Sequence, residues 1–267
     1  MSAALDLSPD TIVLREQAAP GVVRLTLNRP KAYNALSSDL MRQLQAELDV
    51  LRNDRATTVV IIAASGPGFC AGHDLKEVRG LPNRKAIENL FKQCSTLMQS
   101  IVALPKPVIA QVHGTASAAG CQLVASCDLA VAADTARFAT PGVNIGLFCS
   151  TPMVALSRNV SNKQAMEMLL TGEPASAQHA REIGLINRVV PAAELADATL
   201  KLAELIASKS PLTLKIGKEA FYRQRELPLA QAYDYASQVM TENMLIRDAE
   251  EGIDAFIEKR IPCWKGE

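Results

Sequence analysis

The chain has 267 residues, 48% of them hydrophobic and 21% charged, and its 28 basic side chains balance 28 acidic ones. That is the make-up of an ordinary globular protein with a sizeable core. With no basic surplus and only 4% aromatic residues it argues against a dedicated nucleic-acid binder.

Thr11–Arg15 and Val22–Leu27 are β-rich and flank Ala18-Ala19-Pro20-Gly21, so a hairpin is predicted. Ser37 or Ser38 then caps a helix whose apolar face carries Leu36, Leu40, Leu44, Leu48 and Leu51. Thr57–Ala64 reads as a buried strand, broken by Ser65-Gly66-Pro67-Gly68. A helix over 86–103 follows, then a strand at Val108–Val112, a loop of small residues, a helix at Gly120–Ser126 and a strand at Asp128–Ala132. This alternation predicts an α/β fold with buried, largely parallel strands. From about residue 151 helices are expected over 151–159, 162–171, 176–183, 192–209, 211–226 and 228–258, with one short strand at Ile186–Val190.

Six cysteines at 70, 94, 121, 127, 149 and 263 form no C-x-x-C pair, and His73, His113 and His179 are scattered, so no metal site or disulfide framework is expected. The first ten residues, MSAALDLSPD, lack the basic and apolar regions of a secretory signal, and no apolar run reaches membrane-spanning length. Reduced thiols and a cytoplasmic location, with no membrane partner, are the expectation.

Two glycine-bearing segments stand out. Ser65-Gly66-Pro67-Gly68-Phe69-Cys70-Ala71-Gly72-His73-Asp74-Leu75 leaves one buried strand, and His113-Gly114-Thr115-Ala116-Ser117-Ala118-Ala119-Gly120-Cys121-Gln122-Leu123 leaves another and enters a helix. A helix N-terminus favours negative charge. Two backbone N–H groups from two strand ends, aimed at one point, would form an oxyanion hole. Taken singly, either segment also reads as a plain tight turn.

Asn28-Arg29-Pro30-Lys31-Ala32-Tyr33-Asn34-Ala35-Leu36 resembles the N-R-P-x-x-x-N-A-L signature of the crotonase, or enoyl-CoA hydratase/isomerase, superfamily. Phe69 to Leu75, Pro107 to Gly114, Cys127 to Ala132, Leu170-Thr171-Gly172-Glu173 and Ala180 to Val190 resemble its further motifs, in order, over roughly residues 12 to 262. The resemblance implies a crotonase-like spiral of ββα units in an α/β core, here residues 1–205, and a helical C-terminal oligomerisation region over 206–267, building a homotrimer or a hexamer. It implies an acyl-CoA thioester as substrate, in fatty-acid or related acyl-CoA metabolism. No separate cofactor is implied, because coenzyme A is part of the substrate. Carried over by position, the N–H groups of Ala71 and Ala119 would hold the thioester oxygen, and Lys31, Ala32, Ala71, His73, Asp74, Leu75 and Gly120 would lie along the substrate and its CoA. Lys31 would meet a phosphate as a point charge; without the motif it reads as a solvated lysine.

The sequence departs from the pattern where hydratases of the family carry two glutamates. Gln122 stands at the first position and Gly142 at the second. Glutamine bonds water but takes no proton near neutral pH, and glycine offers no side chain. General acid–base catalysis contributes about 10²–10⁴-fold, so efficient hydration is not expected from these two residues. Ser150 or Thr151 reads as the N-cap of the next helix with Pro152 just inside it, Cys149 as an inert buried thiol, His113 as structural, and His73 as a hydrogen-bonded loop histidine rather than an acid or base, with Asp74 orienting it or holding the loop. The tail Phe256…Lys259-Arg260…Pro262…Trp264 resembles the family's, which reaches a neighbouring subunit's CoA; it reads equally as a helix end carrying cations. The residues therefore point to an acyl-CoA enzyme of the hydratase/isomerase type (a lyase or isomerase), with a non-catalytic acyl-CoA binding or regulatory protein as the alternative. An RNA-binding relative is set aside, because the first helix carries only Arg42 and Arg52 against Asp39, Glu47 and Asp49.

Overall fold

β1 (Val13–Ala19) and β2 (Val22–Leu27) form the expected antiparallel hairpin. Every later strand of the main sheet then runs parallel to its neighbour. The computed structural model describes residues 11–267; the first ten residues, read above for a secretory signal, lie outside the described residues.

After β2, Ser37 accepts a hydrogen bond from the Leu40 N–H at 3.2 Å and starts α1 (Ser38–Asn53). Then come β3 (Val59–Ala64), α2 (Leu75–Gly80), α3 (Arg84–Val102), β4 (Val108–Val112), β5 (Ala116–Ser117), α4 (Ala119–Ser126), β6 (Leu129–Ala133) and β7 (Arg137–Ala139). The chain continues through α5 (Pro152–Leu156), α6 (Asn162–Thr171), β8 (Ala175–Ser176), α7 (Ala177–Glu182), β9 (Arg188–Val190) and α8 (Leu195–Ala207). It finishes with α9 (Pro211–Gln224), α10 (Leu229–Met244) and α11 (Arg247–Glu258).

The main sheet has the order β1-β2-β3-β4-β6-β9. Because side chains alternate across a strand, it presents two apolar faces. Leu25, Leu27, Val60, Ile62, Val108 and Ala110 pack with α1 and α3 through Leu40, Leu44, Leu48, Leu97 and Ile101. Val22, Val59, Ile61, Ile109 and Val131 are covered by Leu195, Leu202 and Ala203 of α8. Burial on both faces explains the continuous apolar runs in β3 and β4.

A second sheet, β5-β7-β8, was not expected from the sequence. Isolated bridges between Leu36 and His73 and between Cys70 and Ala116 extend its pattern. Each turn of the chain thus gives one strand to the large sheet, one short extended piece to the small layer, and then a helix: the crotonase-like spiral. Strands of two or three residues carry too little periodicity to be read from sequence.

Two helix expectations are corrected. Residues 228–258 are two helices, because Ile246 is extended and Asp248, buried at the start of α11, accepts from Ser210 Oγ at 2.5 Å and from the Lys265 and Gly266 N–H groups of the returning tail. The segment 151–159 shrinks to α5. Thr151 is its N-cap and Pro152 its first residue, but no side-chain oxygen caps it; Ser150 Oγ turns back to the Phe148 carbonyl at 3.4 Å.

Leu44 is fully buried between the sheet and α3. Leu44→Ala is expected to lower stability by about 2–5 kcal/mol through lost burial and a residual cavity, read as a lower urea midpoint at unchanged slope.

Candidate functional site

The parallel order places the ends of β3 and β4 side by side, so the loops that follow them leave the sheet together. Backbone bonds join these loops. Phe69 N and Cys70 N donate to the Thr115 carbonyl at 3.0 and 3.1 Å, and Ser117 N donates to the Cys70 carbonyl at 2.8 Å. Two glycines allow the contact. A Cβ on Gly120 would lie 2.1 Å from the Cys70 carbonyl oxygen, and one on Gly72 would lie 3.0 Å from Ser117 O and 3.3 Å from Ala119 N. Gly72 also has φ +96, which a side chain disfavours.

The turn after β2 is tied to the same place by Asn34. Fully buried at φ 53, it donates from Nδ2 to the Ser65 and Gly68 carbonyls at 2.8 and 2.9 Å and accepts from Arg29 N at 2.8 Å. His113 Nε2 lies 2.8 Å from the Gly66 carbonyl on the same turn, the structural role expected of it. Arg29 reaches across to Asp74 at 3.0 Å and to the Ala35 carbonyl at 2.6 Å. Asp74 caps α2 through the Lys76 and Glu77 N–H groups. Burial would raise its carboxyl, but the Arg29 guanidinium and these N–H groups outweigh that and hold it below its ordinary range. Asp74 therefore holds the loop, and it does not orient His73 through any hydrogen bond found among the described residues.

The expectation that Ala71 offers a free N–H is corrected: that group donates to the Tyr33 carbonyl at 3.0 Å. The unengaged amide belongs to His73. Its neighbours are used, since Leu36 N donates to the Gly72 carbonyl at 2.7 Å and Asp74 N donates to the Leu36 carbonyl at 3.3 Å, while no bond from His73 N–H occurs among the described residues. Ala119, as the first residue of α4, has an N–H with no acceptor in its own helix. Ala118 before it holds φ 50, ψ −116, a costly backbone for alanine. Its N–H donates to the Ala139 carbonyl at 2.8 Å, and its own carbonyl accepts from Gln122 N at 3.0 Å. The legible signal for His73 was its place directly after a glycine that reverses the peptide direction.

The His73 ring is not held as a well-formed hydrogen-bonded loop histidine, the backbone acceptor that acts on it, the Leu36 carbonyl, lying outside the geometry of a good bond. Both ring nitrogens are buried without a hydrogen-bond partner, and the ring meets Phe91 edge-on at 5.3 Å. Desolvation pulls its pKa below the ordinary value, with the Leu36 carbonyl and Glu77 acting in the opposite sense. Lys31, Ala71 and Leu75 are exposed and Ala32 is half-buried beside the amides. Gly120 is buried against Cys70, where the packing leaves no room for a side chain.

Gln122 lies one turn along α4 from Ala119 and is buried, with Oε1 4.0 Å from Cys94 Sγ. It lines a cavity of about 590 Å³ together with Met98 and Val102 of α3, Val154 of α5 and Tyr222 of α9. Neither His73 nor Ala119 lines that cavity; α4 is the link between it and the amides. Gly142 does not line it either. A Cβ there would sit 2.8 Å from Leu147 O and 2.9 Å from Cys149 Sγ, so glycine is required by space and not by its dihedral angles. Burial raises the thiols of Cys70, Cys94 and Cys121 to about 12, and raises that of Cys149 as well, which leaves them unreactive. Among the described residues no group of three or more His, Cys, Asp or Glu side chains could hold a metal ion, and no helix is long and apolar enough to cross a membrane.

The family description Enoyl-CoA hydratase/isomerase matches residues 17–267. The human enoyl-CoA hydratase domain-containing protein 3, mitochondrial, is 50% identical over 249 residues, covering 92% of this chain and 82% of that protein. The crystal structure of an enoyl-CoA hydratase from Mycobacterium smegmatis superposes with a TM-score of 0.93 at 51% identity, over 95% of this chain and 99% of that one. The Escherichia coli 2,3-dehydroadipyl-CoA hydratase is 36% identical over 96% of this chain and 99% of its own. The cytoplasmic expectation is corrected by these relatives: the human, rat, mouse, Xenopus laevis and Danio rerio proteins are all named mitochondrial. Composition and apolar patterning record what a chain can fold into, and not the compartment in which it folds. The chain belongs to the enoyl-CoA hydratase/isomerase family.

Asn34→Ala strips one buried and two partly buried backbone groups of their partner and is expected to cost about 3 kcal/mol, measured by denaturant unfolding. A second expectation concerns acid. His73 is held neutral when folded but takes a proton when unfolded, so its linkage contribution is complete above the unfolded value of about 6.5 and is lost as pH falls towards the folded value. The melting temperature of the wild type should therefore drop more between pH 7.5 and 5.5 than that of His73→Leu.

Proposed function

We propose, starting from that family membership, that the protein binds acyl-CoA thioesters and stabilises negative charge on the thioester oxygen through the N–H groups of His73 and Ala119. The observation that supports this reading is the close packing of Gly72 on the start of α4, where an added Cβ would lie 3.3 Å from Ala119 N, with no acceptor for the His73 N–H among the described residues. Adding to a thioester, or removing a proton next to it, puts charge on that oxygen. Each amide donor in such a site is worth about 2.7–4 kcal/mol. The exposed Lys31, Ala71 and Leu75 and the half-buried Ala32 would take the CoA portion, with Lys31 meeting a phosphate.

Hydration is not the efficient reaction of this site. Gln122 orients water but takes no proton, and Gly142 contributes only the room that Leu147 and Cys149 need. Neither of the nearby groups supplies the missing base: Cys149 is held protonated and the His73 ring is buried away from solvent. The same two positions favour a second reading, an acyl-CoA binding protein that turns nothing over. The exposed Leu229, Tyr233, Leu245, Phe256, Ile257 and Ile261 of the C-terminal helices and tail support assembly into a trimer or hexamer.

The test is a screen of purified protein against enoyl-, 3-hydroxy- and β-keto-acyl-CoAs by mass spectrometry, alongside calorimetric binding. Binding with turnover of at least one class is expected, while crotonyl-CoA hydration should fall about 10²-fold or more below a two-glutamate hydratase. Binding without any product favours the second reading; no binding at all overturns both. Gln122→Glu is expected to raise hydration, whereas a side chain at 142 should cost stability through its clash.

A further inference from the structure

Helix α9 carries Lys218 and, four residues on, Tyr222; Arg225 and Glu226, three and four residues beyond Tyr222, follow just past its end, so the four lie towards one side. Lys218 is nearly buried, and its Nζ uses all three donors: to the Ile101 carbonyl and the Lys106 carbonyl, each at 2.9 Å, and to Asp128 Oδ2 at 2.6 Å. The ammonium therefore holds the last turn of α3, the turn before β4 and the entry to β6 at once. Asp128 Oδ2 also accepts from Val108 N at 2.7 Å, and Asp128 Oδ1 accepts from the Tyr222 hydroxyl at 2.9 Å. Lys218 and Asp128 do not line the 590 Å³ cavity, but Tyr222, Arg225 and Glu226 do, opposite Gln122, Ala125 and Ser126 of α4.

We propose that the Lys218–Asp128–Tyr222 cluster is a latch that fixes α9 as the wall of the acyl cavity and so sets which acyl chain lengths the protein accepts. The inference rests on the acyl-CoA reading above. A chain that leaves the amides and passes Gln122 would enter a space whose lining on the α9 side is Tyr222 with Arg225 and Glu226. The position of the Tyr222 ring is set by a carboxylate that is itself held by the Val108 N–H of β4 and the Lys218 ammonium. Lys218 and Asp128 act as positioning residues, and Tyr222 as the specificity-determining one. None of the three reaches the amide pair, so short acyl groups should be indifferent to them.

The experiment compares the binding of acetyl-CoA and dodecanoyl-CoA by calorimetry to the full chain and to Tyr222→Ala, Tyr222→Phe and Lys218→Met, with circular dichroism as the check on folding. Tyr222→Ala is expected to raise the preference for dodecanoyl-CoA over acetyl-CoA at least fivefold while acetyl-CoA affinity stays within twofold. Tyr222→Phe, which keeps the ring and cuts only its bond to Asp128, should move the same ratio by a smaller factor in the same direction. Lys218→Met removes a buried cation from three acceptors; if it fails to fold, the two Tyr222 variants decide alone. A ratio unmoved within twofold in Tyr222→Ala, or equal losses for both ligands, overturns the latch while leaving the acyl-CoA reading intact. A wild-type chain that binds neither ligand overturns that reading and the latch with it.

Discussion

The backbone of α4 presses so closely on the loop after β3 that no side chain fits between them. Gly120 lies against the Cys70 carbonyl and Gly72 against the Ser117–Ala119 backbone, and much of the remaining site geometry follows from that contact. It is possible because β3 and β4 are parallel neighbours, which delivers both loops to the same edge of the sheet. Once there, the loops satisfy each other's backbone groups, as buried polar groups must. Among the described residues, the N–H of His73, directly after Gly72, and that of Ala119, the first residue of α4, are left without an acceptor where the two loops meet.

On the proposed reading, that arrangement separates charge stabilisation from proton transfer. Charge stabilisation by main-chain amides, as proposed above, would depend on backbone geometry and so on the glycines and Asn34 that hold it. Proton transfer depends on side chains, and here glutamine and glycine occupy both of the positions in question. The packing at Gly142 has closed around its missing side chain, with Leu147 O and Cys149 Sγ in the space a Cβ would need. At Gln122 the change is one of chemistry within the same volume. Restoring an acid is thus a local matter at one position and a repacking problem at the other.

The C-terminal helices divide their work in the same way. α10 and α11 display large apolar side chains on their outer surfaces, while α9 turns its one buried cation inward to bind three separate pieces of the core. Burial draws the Lys218 ammonium below its ordinary range, and the Asp128 carboxylate works against that shift. A buried ion pair of this kind adds more to the choice of one docking geometry than to net stability.

Much of the architecture was legible in the chain itself. Alternating apolar runs and leucine spacings marked α1, β3, β4 and the hairpin, because burial on one or both faces leaves a period in the sequence. The glycine-bearing loops were legible for the same reason, since a close backbone approach admits no other residue. The short strands of the second sheet, the break at Ile246 and the identity of the free amide were not. Ala71 and His73 are two positions apart, and which of them spends its N–H on Tyr33 is decided by the turn that Asn34 holds against Ser65 and Gly68, more than thirty residues away. Likewise, nothing near Lys218 in sequence announces Ile101, Lys106 or Asp128 as its partners. Local pattern determined which segments are strands, helices and tight turns; only long-range packing decided that Ala71 and not His73 spends its N–H, because the turn held by Asn34 brings the Tyr33 carbonyl to Ala71 from a distant part of the chain.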